Sequence, residues 1–155
     1  MVRKAEKRDI GAIIRLLHQV NMVHYEKRPD LFKPYTTKYD EQELEALLGD
    51  DSKPIFVYDD GEVLGHAFCQ ISEVKNHRLL QDAKTLYIDD ICVEETARGR
   101  HIGQSLYEYV RDYARSIGCY NITLNVWEGN DSALSFYRSM GMQVQKTGME
   151  TILAT

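Results

Sequence analysis

The chain has 155 residues, 43% of them hydrophobic, and its 24 acidic against 19 basic residues give a formal net charge of −5. This size fits one compact domain over residues 1–155, able to bury roughly 70% of its unfolded surface. The acidic balance argues against nucleic-acid binding by broad phosphate neutralisation. The N-terminus lacks the apolar core of a signal peptide, and no apolar run approaches membrane-spanning length. We therefore expect a cytoplasmic protein that binds neither nucleic acid nor membrane.

The N-terminal part predicts a strand, two helices and a connection between the helices. Val2–Ala5 indicates a short strand, and apolar residues at helical spacing follow from Ile10 to Val20. His24–Tyr39 mixes prolines with aromatic and charged residues and predicts a connection that forms a substrate wall or lid. A loop whose aromatic residues only cover the core is the alternative. The run DEQELEALLGD then predicts a second helix that stops near Gly49.

The rest of the chain changes from strand to helical patterns. The predicted elements are, in order, strands Ile55–Tyr58, Val63–Ser72 and Thr85–Val93, a helix from Ile102 to Ile117, a strand Tyr120–Trp127, a helix Ser132–Met140, and one or two strands in Met142–Leu153. The sequence DDGE predicts a hairpin turn between the first two strands. This order predicts an α/β (α+β) fold with a mixed, mostly antiparallel central sheet of about six or seven strands and about four flanking helices. The short C-terminal strands could pair across a homodimer.

The turn RGRHIGQS, from Arg98 to Ser105, lies between a predicted strand and the helix that follows. The first N–H groups of a helix have no partners and the helix dipole adds positive potential, so this turn suits a phosphate or another oxyanion. A solvated basic turn is the alternative. A P-loop is excluded because one residue is missing between the glycines and Gln104 stands in place of the lysine. The dinucleotide fingerprint fails because it needs three glycines.

Two motifs resemble a known family. The run YIDDICVEETARGRHIGQSLYEYVRDYARSIGC, from Tyr87 to Cys119, resembles the acyl-CoA-binding motif of the GNAT N-acetyltransferase superfamily, whose pattern is Arg/Gln-x-x-Gly-x-Gly/Ala after a strand ending in valine. NDSALSFYRSMGM, from Asn130 to Met142, resembles the family's second motif. The resemblance implies a GNAT-like fold and direct transfer of an acetyl group from acetyl-CoA to a primary amine in a ternary complex, with no metal. A non-catalytic acyl-CoA sensor or interaction module on the same fold is the alternative.

The resemblance also implies where acetyl-CoA binds. The pantetheine arm would lie along Ile88–Val93 and the pyrophosphate would lie in the turn, where His101 replaces the glycine of the family pattern. The implied cofactor-binding residues are Ile91, Cys92, Val93, Arg98, Gly99, Arg100, His101, Ile102, Gly103, Gln104, Asn125, Asn130, Ala133, Phe136 and Tyr137. Helix capping is an alternative role for Asn130. Cys92 and Cys119 lack a recognisable histidine and acidic partner, which argues against an acyl-cysteine mechanism.

Two residues are expected to carry the chemistry. Tyr137 matches the family's tyrosine that protonates the departing CoA thiolate, and Asp90 is predicted to be the general base, with binding of a loop amide or of the acceptor's ammonium as its alternative. Asp89 and Asp90 are expected to face opposite sides of the strand. His24, Tyr25 and Asp89 are predicted to bind the acceptor. Acidic residues in this region favour a cationic small amine such as a polyamine, while an amino acid, an aminoglycoside and a protein N-terminus remain alternatives.

Overall fold

The computed structural model of the chain describes residues 1–154. Its contacts divide the chain into two compact units, residues 1–125 and 126–155, and each is described by itself. The first unit contains β1 (Val2–Lys4), α1 (Ile10–Lys27), α2 (Glu41–Leu48), β2 (Ile55–Asp59), β3 (Val63–Val74), β4 (Ala83–Val93), α3 (Ile102–Ser116) and β5 (Asn121–Leu124). The second unit contains α4 (Asp131–Ser139). Among the described residues, no helix combines the length and the apolar character needed to cross a bilayer.

The strands form one mixed sheet in the order β1-β2-β3-β4-β5. Three neighbouring pairs are antiparallel, and β4 and β5 are parallel. The predicted α/β fold with a mostly antiparallel sheet and four helices is therefore confirmed. The hairpin between β2 and β3 also forms as predicted, and Gly61 adopts the positive φ of 85° that its turn requires.

The strand count is lower than predicted, since five strands form within residues 1–154 instead of about six or seven. The predicted strands in Met142–Leu153 do not occur within residues 1–154. An alternating apolar pattern specifies a strand only when one of its faces is buried. Here four of the large apolar side chains of the segment are exposed, namely Val144, Met149, Ile152 and Leu153.

The largest differences between predicted and observed element boundaries are at the ends of α1 and β5. Helix α1 continues to Lys27, so the first residues of the predicted connection, from His24 onward, are helical. The sequence has no glycine or proline between His24 and Pro29. Arg28 leaves helical geometry because the residue before a proline disfavours the helical conformation. Strand β5 ends at Leu124 instead of Trp127.

One glycine brings α3 close to the sheet. A β-carbon added to Gly65 on β3 would lie 3.0 Å from the Cys92 carbonyl oxygen and 3.1 Å from side-chain carbons of both Ile102 and Leu106. A larger residue would therefore push the helix away from the strands. Because Ile102 is the first residue of α3, this contact places the start of α3 beside the end of β4.

Candidate active site

The edge of β4 that faces β5 is only partly paired. Strand β5 pairs with Thr85–Ile88, whereas β4 continues to Val93. Beyond Ile88, the pairing of β4 continues on its other side, with β3. An unpaired strand edge offers N–H and C=O groups to an extended chain. The predicted cofactor residues Ile91, Cys92 and Val93 lie on this part of β4.

Asn125 follows the last residue of β5. Its side-chain Nδ2 donates a hydrogen bond of 3.2 Å to the Tyr87 hydroxyl on β4. The residue thus lies where the pairing between the two parallel strands has ended at Leu124. Its role toward acetyl-CoA stays a prediction.

A β-bulge lies in the open part of β4. Phe68 on β3 is opposite Asp90 and Cys69 is opposite Ile88, so Asp89 has no residue opposite it. A bulge breaks the regular alternation of side chains along a strand. The Lys38 ammonium donates to the Asp89 carboxylate, and its charge also acts on Asp90. The bulge therefore removes the regular alternation on which the expected opposite orientation of the two carboxylates rests.

Asp90 is poised to exchange a proton near neutral pH. Burial and, to a smaller extent, the negative charge of Asp89 raise the pKa of its carboxyl, the charge of Lys38 lowers it, and the net result is a pKa of about 7. Both protonation states are then populated at neutral pH. A general base works best when its pKa lies near the working pH, which is the condition that Asp90 meets.

Two contacts hold Lys38 at this position. Its ammonium pairs with Asp89, whose side chain is only 16% exposed, and it lies 5.5 Å from the ring centroid of Tyr39. The Tyr39 ring packs at 5.7 Å from that of Phe68. Burial works to lower the pKa of Lys38, but the hydrogen bond to Asp89 and the nearby negative charges raise it overall. Lys38 is therefore a charged ammonium held against Asp89, and its charge also acts on Asp90.

The predicted acceptor residue His24 lies near this ion pair. Its ring stacks on Phe32 with centroids 5.0 Å apart. Burial lowers the pKa of His24, and the positive charge of Lys38 lowers it further. His24 is therefore neutral at pH 7. Tyr25, the next residue on α1, is half-buried, and its part in acceptor binding stays a prediction.

The turn before α3 has the backbone geometry of a glycine-rich loop. His101 adopts φ 60° and ψ 25°, in the left-handed region, and Gly99 has φ 85°. Histidine thus takes the conformation for which the family pattern uses glycine, at a cost of about 1 kcal/mol. The first helical hydrogen bond runs from the Ser105 amide to the His101 carbonyl at 3.0 Å. The amides of Ile102 and Gly103 therefore have no partner within the helix.

The polar side chains of the turn differ in their partners. Arg100 pairs with Asp60 at 3.0 Å, and both side chains are more than half exposed. Such a surface pair contributes little stability, so an anion can replace Asp60. Gln104 donates to Glu108 at 3.0 Å. Arg98 is exposed and forms no ion pair with the described residues, which makes it the most available cation of the turn.

The buried cysteines of the sheet are unsuited to nucleophilic attack. Burial raises the pKa of Cys92 and that of Cys69 to about 12, and the Cys92 thiol donates to the Leu16 carbonyl at 3.4 Å. His66, opposite Cys92 on β3, is fully buried, and burial lowers its pKa to about 3. A neutral imidazole cannot stabilise a thiolate as an ion pair would. The absence of an acyl-cysteine step stays a prediction.

The second unit carries the remaining predicted residues on and just before α4. The Asn130 side chain accepts a hydrogen bond of 3.4 Å from the Ala133 amide, so the capping role considered for Asn130 is present. Phe136 and Tyr137 pack edge to face with ring centroids 5.1 Å apart. The roles of all four toward acetyl-CoA, and of Tyr137 as general acid, stay predictions.

Lys38 is the site residue that the sequence did not indicate. It lies in the predicted substrate wall, but nothing in the sequence links it to an aspartate 51 positions later. Across residues 1–154, no group of three or more His, Cys, Asp or Glu side chains is arranged to hold a metal ion.

Comparison with known proteins identifies the class to which this fold and site belong. The model of the acetyltransferase (GNAT) family matches residues 20–142, and the chain belongs to that family. The chain is 27% identical over 150 residues to a thialysine N-epsilon-acetyltransferase of Bos taurus, a match that covers 92% of this chain and 84% of that protein. An uncharacterized N-acetyltransferase of Lactobacillus delbrueckii is 30% identical over 87 residues, which cover 56% of this chain and 49% of that protein.

Solved structures share the fold. A mutant protein from Bacillus halodurans superposes with a TM-score of 0.94 at 29% identity, over 99% of both chains. Glucosamine-6-phosphate N-acetyltransferase from Arabidopsis thaliana superposes with a TM-score of 0.72 at 23% identity, over 99% of this chain and 98% of that one. The family and the relatives' names support acetyl transfer and do not favour a non-catalytic module.

Proposed function

We propose that the protein is an N-acetyltransferase that transfers the acetyl group of acetyl-CoA directly to a cationic primary amine. The observation that carries this proposal is the bulge in β4, where Asp89 pairs with an alkylammonium and Asp90 is the next residue of the strand. The same strand has an open edge, and it ends beside the uncapped start of α3. A base and a binding edge for an acyl carrier thus occur on one strand.

The cofactor side fits acetyl-CoA. The open edge of β4 from Asp89 to Val93 suits the amide groups of an extended pantetheine arm. The unpaired amides at the start of α3, with Arg98 beside them, suit the pyrophosphate. Acetyl-CoA would supply the activated acyl group as a thioester.

The acceptor side fits an amine that arrives as an ammonium. Asp89 would bind the ammonium, and Asp90 would remove the proton that blocks attack, since only the neutral amine has a lone pair. The bovine relative is named for acetylation at the ε-nitrogen of thialysine. The ion pair of the Lys38 alkylammonium with Asp89 supports the binding of such an amine here.

The leaving group also needs a proton. As the tetrahedral intermediate collapses, the C–S bond breaks and the thiolate of CoA leaves. We assign its protonation to Tyr137, on the basis of the second motif of the family. No covalent enzyme intermediate is required, which accords with the raised pKa of the Cys92 thiol.

A screen of amines tests this function. The purified protein is incubated with acetyl-CoA and with separate polyamines, amino acids, aminoglycosides and peptides, while release of CoA is followed and products are identified by mass spectrometry. We expect fastest release with cationic amines and a product that is heavier by one acetyl group. Binding of acetyl-CoA without release with any amine would contradict the proposal and favour a sensor.

A further inference from the structure

Lys38 has the chemistry of the substrate that the site is proposed to accept. Its side chain ends in a primary amine on a flexible alkyl chain, and that amine hydrogen-bonds the Asp89 carboxylate at the bulge. Asp90 lies one residue further on β4 and feels the charge of the same amine. The connection between α1 and α2 thus presents an amine to the two aspartates that the proposed function assigns to the acceptor.

The amine is held there by packing as well as by charge. Lys38 lies over the ring of Tyr39, which packs on Phe68, the β3 residue opposite Asp90. The backbone next to Lys38 is therefore anchored to the strand pair that carries the base. The Lys38 side chain itself is half exposed. Neither its amine nor the acetylated form of that amine therefore has to fit into a buried cavity.

We propose that Lys38 is an internal acceptor, whose ε-amine occupies the place of the substrate ammonium and is acetylated by acetyl-CoA bound to the same chain. This inference rests on the proposed function. The modification would convert a cation into a neutral amide, which cannot form the ion pair with Asp89. Lys38 is therefore a residue of the site that the protein itself modifies.

The chemical step balances without any further reactant. One proton of the Lys38 ammonium passes to Asp90, and the freed lone pair attacks the thioester carbonyl to form a C–N bond. The C–S bond breaks, and the second amine proton is lost as the CoA thiolate is protonated. The products are Nε-acetyl-Lys38 and free CoA, and Asp90 returns its proton to solvent.

Lys33 provides a control within the same connection. It is exposed and forms no ion pair with any residue in the described range 1–154. Chemical acetylation by free acetyl-CoA attacks accessible amines and would label Lys33 at least as fast as Lys38. Enzymatic acetylation requires the aspartates and would label Lys38 first.

The test incubates the full chain with acetyl-CoA alone and maps the acetylated lysines by mass spectrometry over time. We expect Lys38 to be acetylated at least about tenfold faster than Lys33, at a rate per molecule that does not change on dilution. Asp90→Asn should slow labelling of Lys38 by at least about tenfold and leave Lys33 unaffected. Cadaverine, added as a competing amine, should suppress labelling of Lys38 only.

Two outcomes would overturn the inference, and they separate it from the proposed function. If the amine panel is acetylated while Lys38 stays unmodified, or is labelled no faster than Lys33, Lys38 is not an internal acceptor and the proposed function stands. If neither the amines nor Lys38 are acetylated, both proposals fail. Lys38→Arg keeps a positive charge for Asp89 and serves as the folded control that cannot be acetylated at this position.

Discussion

The two sides of the candidate site are built in different ways. The proposed cofactor side consists of backbone groups: the left-handed His101, the amides at the start of α3 that have no partner within the helix, and the edge of β4. The acceptor side consists of side chains that come from distant parts of the chain, such as Lys38 and Asp89. A backbone site tolerates exchange of a side chain that keeps its geometry, whereas a site made of charged side chains depends on each of them.

The largest expected effect concerns the residue assigned to the leaving group. Tyr137→Phe keeps the ring that packs against Phe136 but removes the hydroxyl. Turnover should fall by about 10²–10⁴-fold, the usual range for general acid catalysis, with acetyl-CoA affinity nearly unchanged. Stopped-flow turnover and calorimetric binding measure the two quantities. Tyr120→Phe, at an 81% exposed position, is the control, and near-normal turnover of Tyr137→Phe would remove Tyr137 from the mechanism.

An effect of intermediate size is expected from a substitution that tests whether the cofactor side depends on the position of the α3 backbone. Gly65→Ala puts a methyl group 3.0–3.1 Å from Cys92, Ile102 and Leu106 and so displaces the start of α3. We expect a loss of about 1–3 kcal/mol in the free energy of unfolding and weaker acetyl-CoA binding. Gly11→Ala has open space within α1 and should instead gain about 0.5–1 kcal/mol. Equal denaturation midpoints for the two variants would show that the close approach is unimportant.

The smallest expected effect tests whether the turn acts through its backbone or through a side chain. His101→Gly removes the strain of a left-handed histidine and should raise the free energy of unfolding by about 1 kcal/mol. Acetyl-CoA affinity should change by less than about threefold, because the amides keep their positions. An affinity gain of tenfold or more would show that the histidine side chain hinders the cofactor.

The same difference between the two sides explains what the sequence could predict. The turn at Arg98–Ser105 is local, so the spacing of its residues is enough to indicate the positive charge and the helix start. The bulge at Asp89 depends on how β3 and β4 align, and the regular alternation expected from the sequence does not indicate it. Lys38 reaches Asp89 only through the folded connection. The absent C-terminal strands also depend on burial, which apolar spacing alone does not establish.

The central claim is that Asp90 accepts the proton of the acceptor, and the pH dependence of kcat/KM for the best amine tests it most directly. The pKa of Asp90 is about 7, so the rate should fall about tenfold per pH unit below that value as the carboxylate is protonated. Asp89→Asn removes a charge that raises this pKa and should shift the acidic limb to lower pH. Lys38→Met removes a charge that lowers it and should shift the limb to higher pH. Neither substitution can change the pKa of the free amine in solution, so a shift of the acidic limb must come from the enzyme. An acidic limb at the same pH in both variants would contradict the account. So would an Asp90→Asn variant that keeps the full kcat/KM and the same acidic limb.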